Sequence, residues 1–399
     1  MGFISERLGN VKPSATLAIS AKAKELIAGG ADIVNLSGGE PDFDPPANII
    51  AAAKKAMDKG MHRYTAVEGK PALRRAIIEK FKRDNNIAYG MYEVMASTGA
   101  KQAIYNAFMA TLNPGDEVII PSAFWVSYPE MVTLCGGTPV LIECPHKNGF
   151  KPTAEQLEKA ITPRTKWLVM NYPNNPSGAV CSKEELSALG KVLKAYPHVH
   201  ILSDDVYEQI IYDGRKFLNI VNVCPELKDR TLVVNALSKS YGMTGWRLGY
   251  CGGSAELIKS MNIIQSQSTS NPCSIVQEAA IAALTGPQEF LAEWLKNYTM
   301  RRDYVVGRLN KINGLQCDFP EGAFYVFPSC ERVVKENLIK GHKFKDDIDF
   351  SQYLLERCGV AVTPGSVFGS PMHFRISFAN SMGDITKACD RIEAVLKTV

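Results

Sequence analysis

Short apolar strand patterns alternate with amphipathic helix patterns through the middle of this chain. That alternation restricts the fold more than any other feature. Glu117-Val118-Ile119-Ile120, Pro139-Val140-Leu141-Ile142, Trp167-Leu168-Val169-Met170, His200-Ile201-Leu202-Ser203 and Leu232-Val233-Val234-Asn235 each read as a short strand. Between them, Lys101 to Leu112 is a helix pattern closed by the turn Asn113-Pro114-Gly115-Asp116. Lys183 to Ala195 is another, opened by Ser182 as N-cap with Glu185 three residues on. Such alternation predicts an α/β fold with a mainly parallel sheet and helices on both faces. Ligands of these sheets bind beyond the carboxyl ends of the strands. Asn171, Asp204 and Lys239 each follow a predicted strand, so they are expected to converge at one sheet edge.

The C-terminal part has a different pattern. Asn297 to Ile312 predicts a long helix, and Asp384 to Lys397 a closing one. Ala323 to Phe327 and His373 to Phe378 alternate like half-exposed strands. A smaller α+β domain is expected there.

A chain of 399 residues has room for two domains, and its 46% apolar fraction is ordinary for a globular protein. The net charge of +4, without an extended Lys/Arg run, argues against nucleic acid as a partner. The ten cysteines are scattered with no C-x-x-C pair, which suggests neither zinc nor a disulfide framework. The N-terminus Met1-Gly2-Phe3-Ile4-Ser5-Glu6-Arg7 has no apolar core of a secretory signal, and no apolar run reaches membrane-spanning length. A cytoplasmic location is the expectation.

The stretch Ser238-Lys239-Ser240-Tyr241-Gly242-Met243-Thr244-Gly245-Trp246-Arg247-Leu248-Gly249 carries the most chemistry. A lysine beside a hydroxyl, then glycines, then an arginine suits a cofactor bearing both an aldehyde and a phosphate. The amine can form a Schiff base, while hydroxyl and guanidinium hold the phosphate. Pyridoxal phosphate is such a cofactor. A Ser-Lys pair is ordinarily a surface feature, but the apolar run Thr231 to Leu237 ahead of it reads as a buried strand.

The pattern S-K-x-x-x-x-x-G-W-R-x-G resembles the cofactor-lysine signature of the class I aminotransferases, which are fold-type I pyridoxal phosphate enzymes. The likeness runs from Lys12-Pro13-Ser14 into the C-terminal part, and is greatest to bacterial aspartate aminotransferases, including those that also use prephenate. It implies a pyridoxal phosphate domain over 46–290 and a discontinuous small domain of 1–45 with 291–399. It also implies a homodimer with shared sites and transfer of an amino group from aspartate or glutamate to a 2-oxo acid by ping-pong chemistry. Aromatic aminotransferase and carbon–sulfur β-lyase activities share the scaffold.

The resemblance also assigns roles. Lys239 is the catalytic amine. Asp204, in Ser203-Asp204-Asp205-Val206-Tyr207, faces the pyridine nitrogen, whereas the residues alone suggest a helix N-cap. Asp205 stands where the family commonly has glutamate. Tyr207 and Asn175 donate to the ring oxygen; Asn175 lies in a Pro-rich turn resembling N-P-x-N-P-[ST]-G, with Tyr172 inserted. Gly99-Ala100-Lys101, opening a helix, completes a phosphate cup with Ser238 and Arg247. Tyr64 reaches that phosphate from a neighbouring subunit. Trp125 stacks on the ring, although its sequence context fits a core aromatic equally. Arg375 clamps the substrate α-carboxylate, whereas alternation alone points it outward. Gly39, in Ser37-Gly38-Gly39-Glu40-Pro41-Asp42, permits close backbone approach to the same carboxylate. Lys12 meets the distal carboxylate, and otherwise reads as an exposed lysine on an N-terminal arm. The stretch Gln265 to Cys273 has no arginine to take that carboxylate from a partner subunit. The glycine fingerprint of a nucleotide-binding dehydrogenase, the zinc signature H-E-x-x-H and the serine-hydrolase motif G-x-S-x-G are all missing. A cofactor-binding transcription regulator would need an added DNA-binding domain, for which the length leaves no room.

Overall fold

The computed structural model describes residues 3–339 and 341–396. The short strand β1 (Val34–Asn35) is followed by β2 (Val94–Ser97), β3 (Glu117–Pro121), β4 (Thr138–Ile142), β5 (Thr165–Met170), β6 (His200–Asp204), β7 (Thr231–Ala236) and β8 (Gly249–Gly252). Strands β2 to β8 form a seven-stranded sheet in the order β2-β8-β7-β6-β5-β3-β4. Only β8 runs antiparallel to its neighbours. All five strands expected from the alternation are present, each within a residue or two of its predicted ends.

Successive side chains of a strand point to opposite faces, and both faces here are buried. Ile119, Leu168, Ile201 and Val233 pack into one apolar cluster. Their neighbours Val118, Val169, Leu202 and Leu232 pack into another on the far face. Helices cover each side. Lys183–Ala195 has the expected capping box, with Ser182 and Glu185 both bonded reciprocally to the backbone. The chain runs outward from β3 to β4, then returns to the other side of β3 to form β5. The order thus reverses between β3 and β5, and a crevice opens there beyond the strand ends.

The remaining strands are short: β9 (Tyr325–Val326), β10 (Val360–Ala361), β11 (Thr363–Pro364) and β12 (Phe374–Ser377). β12 lies between β11 and β9, antiparallel to both. β1 pairs in parallel with β10, so an N-terminal segment is joined to the C-terminal part by main-chain hydrogen bonds. A third apolar cluster, with Phe324, Phe350, Phe374 and Ile385, lies beneath.

Three expectations need correction. The C-terminal strand segments are not half-exposed: β9 and β12 are buried throughout. Their polar residues alternate with apolar ones because one face meets the core and the other meets a cavity. The long helix starts at Phe290 rather than Asn297, because Phe290 packs against Tyr241 and Trp294 stacks on Phe43. The closing helix is Met382–Leu396, and Lys397 lies outside the described residues. No helix among the described residues is long and apolar enough to cross a membrane.

Candidate active site

A cavity of about 390 Å³ opens at the strand ends near the β3/β5 reversal. Asn171, Asp204 and Lys239 do converge at this edge. Asn171 follows β5 and holds two loops together: its Nδ2 donates to the Asp204 carbonyl (2.9 Å) and its Oδ1 accepts from Asn175 N–H (3.0 Å). Asn171 is therefore a brace, while Asn175, Asp204 and Lys239 line the cavity.

Lys239 sits in the single helical turn Leu237–Ser240 directly after β7. Its Nζ donates to the Gly39 carbonyl at 2.5 Å. Burial pushes its pKa down to about 8, helped by the Arg375 guanidinium and opposed by Glu40. An ammonium in this position is readily deprotonated near neutral pH, as an acid–base group requires.

Asp204 ends β6 and is 4% exposed. It caps no helix. Burial raises its pKa to about 6, against the hydrogen bond from Tyr128, the Val206 N–H and the charge of Lys239. Tyr128, which no sequence motif singles out, donates its hydroxyl to Asp204 Oδ2 at 2.6 Å. Asp205 points away: its carboxyl accepts from Ser203 and from Asn219 and serves the packing under the loop. Deeper still, Glu208 is bonded to the buried Lys80 and to Asn85. These contacts tie the segment 204–208 to the body of the protein.

Tyr207 and Tyr325 share a hydrogen bond between hydroxyls at 2.8 Å. Tyr325 carries no sequence signal beyond its strand pattern. Its position also explains Gly39, since a Cβ there would lie 2.3 Å from the Tyr325 hydroxyl. Arg375 on β12 is 3% exposed and faces inward, not outward. Its Nη1 donates to Asn175 Oδ1 at 2.8 Å, and its Nη2 to the Ser37 carbonyl. The guanidinium lies over Tyr325 and Phe368. Its Nε is buried with no hydrogen-bond partner. A buried, unpaired donor on a cation is costly, and an incoming carboxylate would satisfy it.

The helix Ala100–Thr111 begins straight after β2, with Gly99 at φ +85°. A Cβ on Gly99 would meet Arg247 Nη2 at 2.6 Å, and one on Gly249 would meet Ala100 N at 2.3 Å. These glycines let the Arg247 strand–loop unit close on the helix start. Free N–H groups, Ser238 and Arg247 therefore face one region, an arrangement suited to a phosphate. Lys101 belongs to this helix start through its backbone, but its ammonium lies 4.7 Å from the Trp125 ring centroid. Among the described residues it has no carboxylate partner, and burial with Arg247 nearby lowers its pKa. Trp125 lines the cavity and packs edge-on against Tyr128.

Two candidate residues are not brought to the cavity. Tyr64 is 90% exposed on the single chain. Lys12 is exposed and meets Glu130 only through its backbone N–H. Instead, Thr16, Ser20 and Lys24 of the helix Ala15–Ala28 form the cavity mouth.

The residues present fit a phosphorylated pyridine aldehyde. An amine, a carboxylate, two hydroxyl or amide donors, an aromatic wall and an anion cup surround a space of suitable size. The orphaned Arg375 Nε adds a place for a carboxylate.

Comparison with known proteins agrees. The family model "Aminotransferase class I and II" matches residues 31–392. An aspartate/prephenate aminotransferase of Cereibacter sphaeroides is 53% identical over 99% of this chain and 98% of its own. The crystal structure of the aspartate aminotransferase from Rhizobium meliloti superposes with a TM-score of 0.95 at 48% identity, covering 99% of each chain. An aspartate aminotransferase from Thermus thermophilus, solved with maleate, gives 0.91 at 41% identity over 99% of this chain and 100% of its own. With its lysine, carboxylate and arginine gathered at the edge of this sheet, the chain belongs to the class I and II aminotransferases.

Proposed function

We propose that the protein uses pyridoxal 5′-phosphate to move the α-amino group of L-aspartate or L-glutamate to a 2-oxo acid, in a ping-pong sequence, with prephenate as a further acceptor. The observation that carries this reading is the joint placement of Lys239, Asp204 and Arg375 around one cavity. When bound, the cofactor supplies an electron sink and a carrier for the amino group.

The protein's own residues do the rest. Arg375 receives the substrate α-carboxylate on its unpaired Nε edge, and its other nitrogens are already fixed by Asn175 and Ser37. That fixes the substrate Cα relative to Lys239. Lys239 Nζ, whose pKa burial lowers to about 8, would take a proton from that carbon and deliver it to the cofactor carbon that bore the aldehyde. Asp204 would face the ring nitrogen and favour its protonated form. Tyr207 and the remaining Nδ2 donor of Asn175 would address the ring oxygen. Ser238, Arg247 and the helix start at Ala100 would hold the phosphate, and Trp125 would cover a ring face.

The distal carboxylate of a dicarboxylic substrate falls to Lys101, a cavity-lining cation with no carboxylate partner among the described residues, whose ammonium lies beside the Trp125 ring. Maleate in the Thermus thermophilus structure is a dicarboxylate and supports this substrate class. Tyr64, open to a second copy of the chain, supports a homodimer that completes each phosphate site. The pairing of β1 with β10 supports a discontinuous small domain, formed by the first 45 residues with those from 291 onward, around a cofactor domain over 46–290. Cytoplasmic location and a biosynthetic role belong to this same reading.

The test is the visible absorption of the protein with pyridoxal phosphate, before and after aspartate. A yellow band that bleaches with aspartate supports the proposal. Absence of any band sinks it, and a band indifferent to aspartate and glutamate removes the dicarboxylate substrates.

A further inference from the structure

Tyr128 lies in the first turn of the helix Ser127–Leu134 and is 1% exposed. It touches two parts of the site at once. Its hydroxyl donates to Asp204 Oδ2 at 2.6 Å. Its ring meets the Trp125 ring edge-on, with centroids 5.3 Å apart and planes at 85°. The other Asp204 oxygen receives only a long contact, 3.4 Å from the Val206 N–H. Tyr128 is thus the one short hydrogen bond that orients this carboxylate among the described residues. Resting on the cofactor reading above, we propose that Tyr128 is a positioning residue: its hydroxyl fixes the Asp204 carboxylate toward the cofactor ring nitrogen, and its ring fixes Trp125 over the ring face.

Burial and hydrogen bonding pull Asp204 in opposite directions. Burial favours the neutral acid, while an O–H donor stabilises the carboxylate. A neutral hydroxyl supplies that stabilisation without a counter-charge, so the ring nitrogen remains the cation the carboxylate pairs with. Tyr128 itself stays protonated, since burial and the adjacent carboxylate push its pKa well up. The other titratable groups around the pair are Lys239, which lowers the Asp204 pKa, and Tyr207 and Asp205. Burial raises the pKa of both of the latter. None of the three replaces the Tyr128 hydroxyl as a donor to Asp204.

Tyr128→Phe removes the hydroxyl and keeps the ring. The experiment titrates the wild-type protein, Y128F, D204N and the double variant with pyridoxal phosphate across pH 5 to 8, following absorbance. In the wild type, affinity should fall as the pH drops through about 6, because Asp204 then protonates. In Y128F that limb should move up by about one pH unit, giving roughly fivefold weaker binding at pH 6 and about tenfold toward pH 5. The KM for the 2-oxo acid should hold while kcat falls about tenfold. In the D204N background, adding Y128F should change little, because the hydroxyl acts through Asp204. An unmoved limb in Y128F overturns the proposal, as does an equal effect in the D204N background. A Y128F chain that fails to fold assigns the hydroxyl to stability and overturns it too. A wild type that binds no cofactor refutes the functional reading itself, so the two failures are distinct.

Discussion

The two walls of the cavity are built differently. The ring-side wall, with Asn175, Asp204, Tyr207 and Lys239, comes from loops that leave adjacent parallel strands. Each residue is placed by the strand before it. The carboxylate-side wall is assembled from distant parts: Gly39 from the N-terminal segment, Tyr325 from β9 and Arg375 from β12. Arg375 reaches Ser37 across 338 residues of sequence, and Lys239 reaches Gly39 across 200. The first wall inherits the rigidity of the sheet. The second depends on long-range packing, and so tolerates least change at its contacts. On the proposed reading, chemistry concentrates on the first wall and recognition of the α-carboxylate on the second.

The largest expected effect is on the ring side. Lys239→Ala should lower kcat by about 10⁴ or more while the thermal transition stays near wild type. Substantial residual turnover would remove the lysine from the proton path. Next, Arg375→Lys should lower kcat/KM by roughly 10²-fold through KM, since a single ammonium cannot replace the planar fork. A change in kcat alone would place Arg375 on the chemical side and blur the distinction between the walls. Gly39→Ala should displace the Tyr325 hydroxyl and destabilise the fold by about 1–3 kcal/mol, read by denaturant unfolding.

A pH measurement tests the ring side without mutation. The rate at which the apoprotein combines with pyridoxal phosphate should rise through about pH 8, because the neutral Lys239 amine is the reactive form. A rate still climbing to pH 10 would show an ordinary, water-exposed lysine. The smallest effect concerns the distal carboxylate. Lys101→Ala should raise the KM for 2-oxoglutarate about tenfold. Lys12→Ala should raise that KM less, by about threefold or below, and should weigh more on prephenate. The reverse order would move dicarboxylate recognition from the cavity to the N-terminal arm.

The ring-side wall is legible in the sequence because a buried strand followed by Asp, Asn or Lys is a local pattern. Alternation alone puts Asp204 and Lys239 at one sheet edge. The carboxylate side is not legible in that way. Arg375 alternates with apolar residues, which fits a strand facing water as well as one facing a cavity. Only its resemblance to the family's arginine points it inward. Tyr128 and Tyr325 have no local signal, because a buried tyrosine looks the same whether its hydroxyl meets a carboxylate or the core.

Periodicity and burial act over a few residues, so the α/β architecture, the strand ends and the place of Lys239 at the sheet edge follow from sequence alone. Tertiary structure decided which way Arg375 faces, that Asp204 is held by Tyr128 rather than capping a helix, and that Lys101 points over Trp125. Those outcomes depend on groups far apart in the chain meeting in a medium too dry to leave them unpaired.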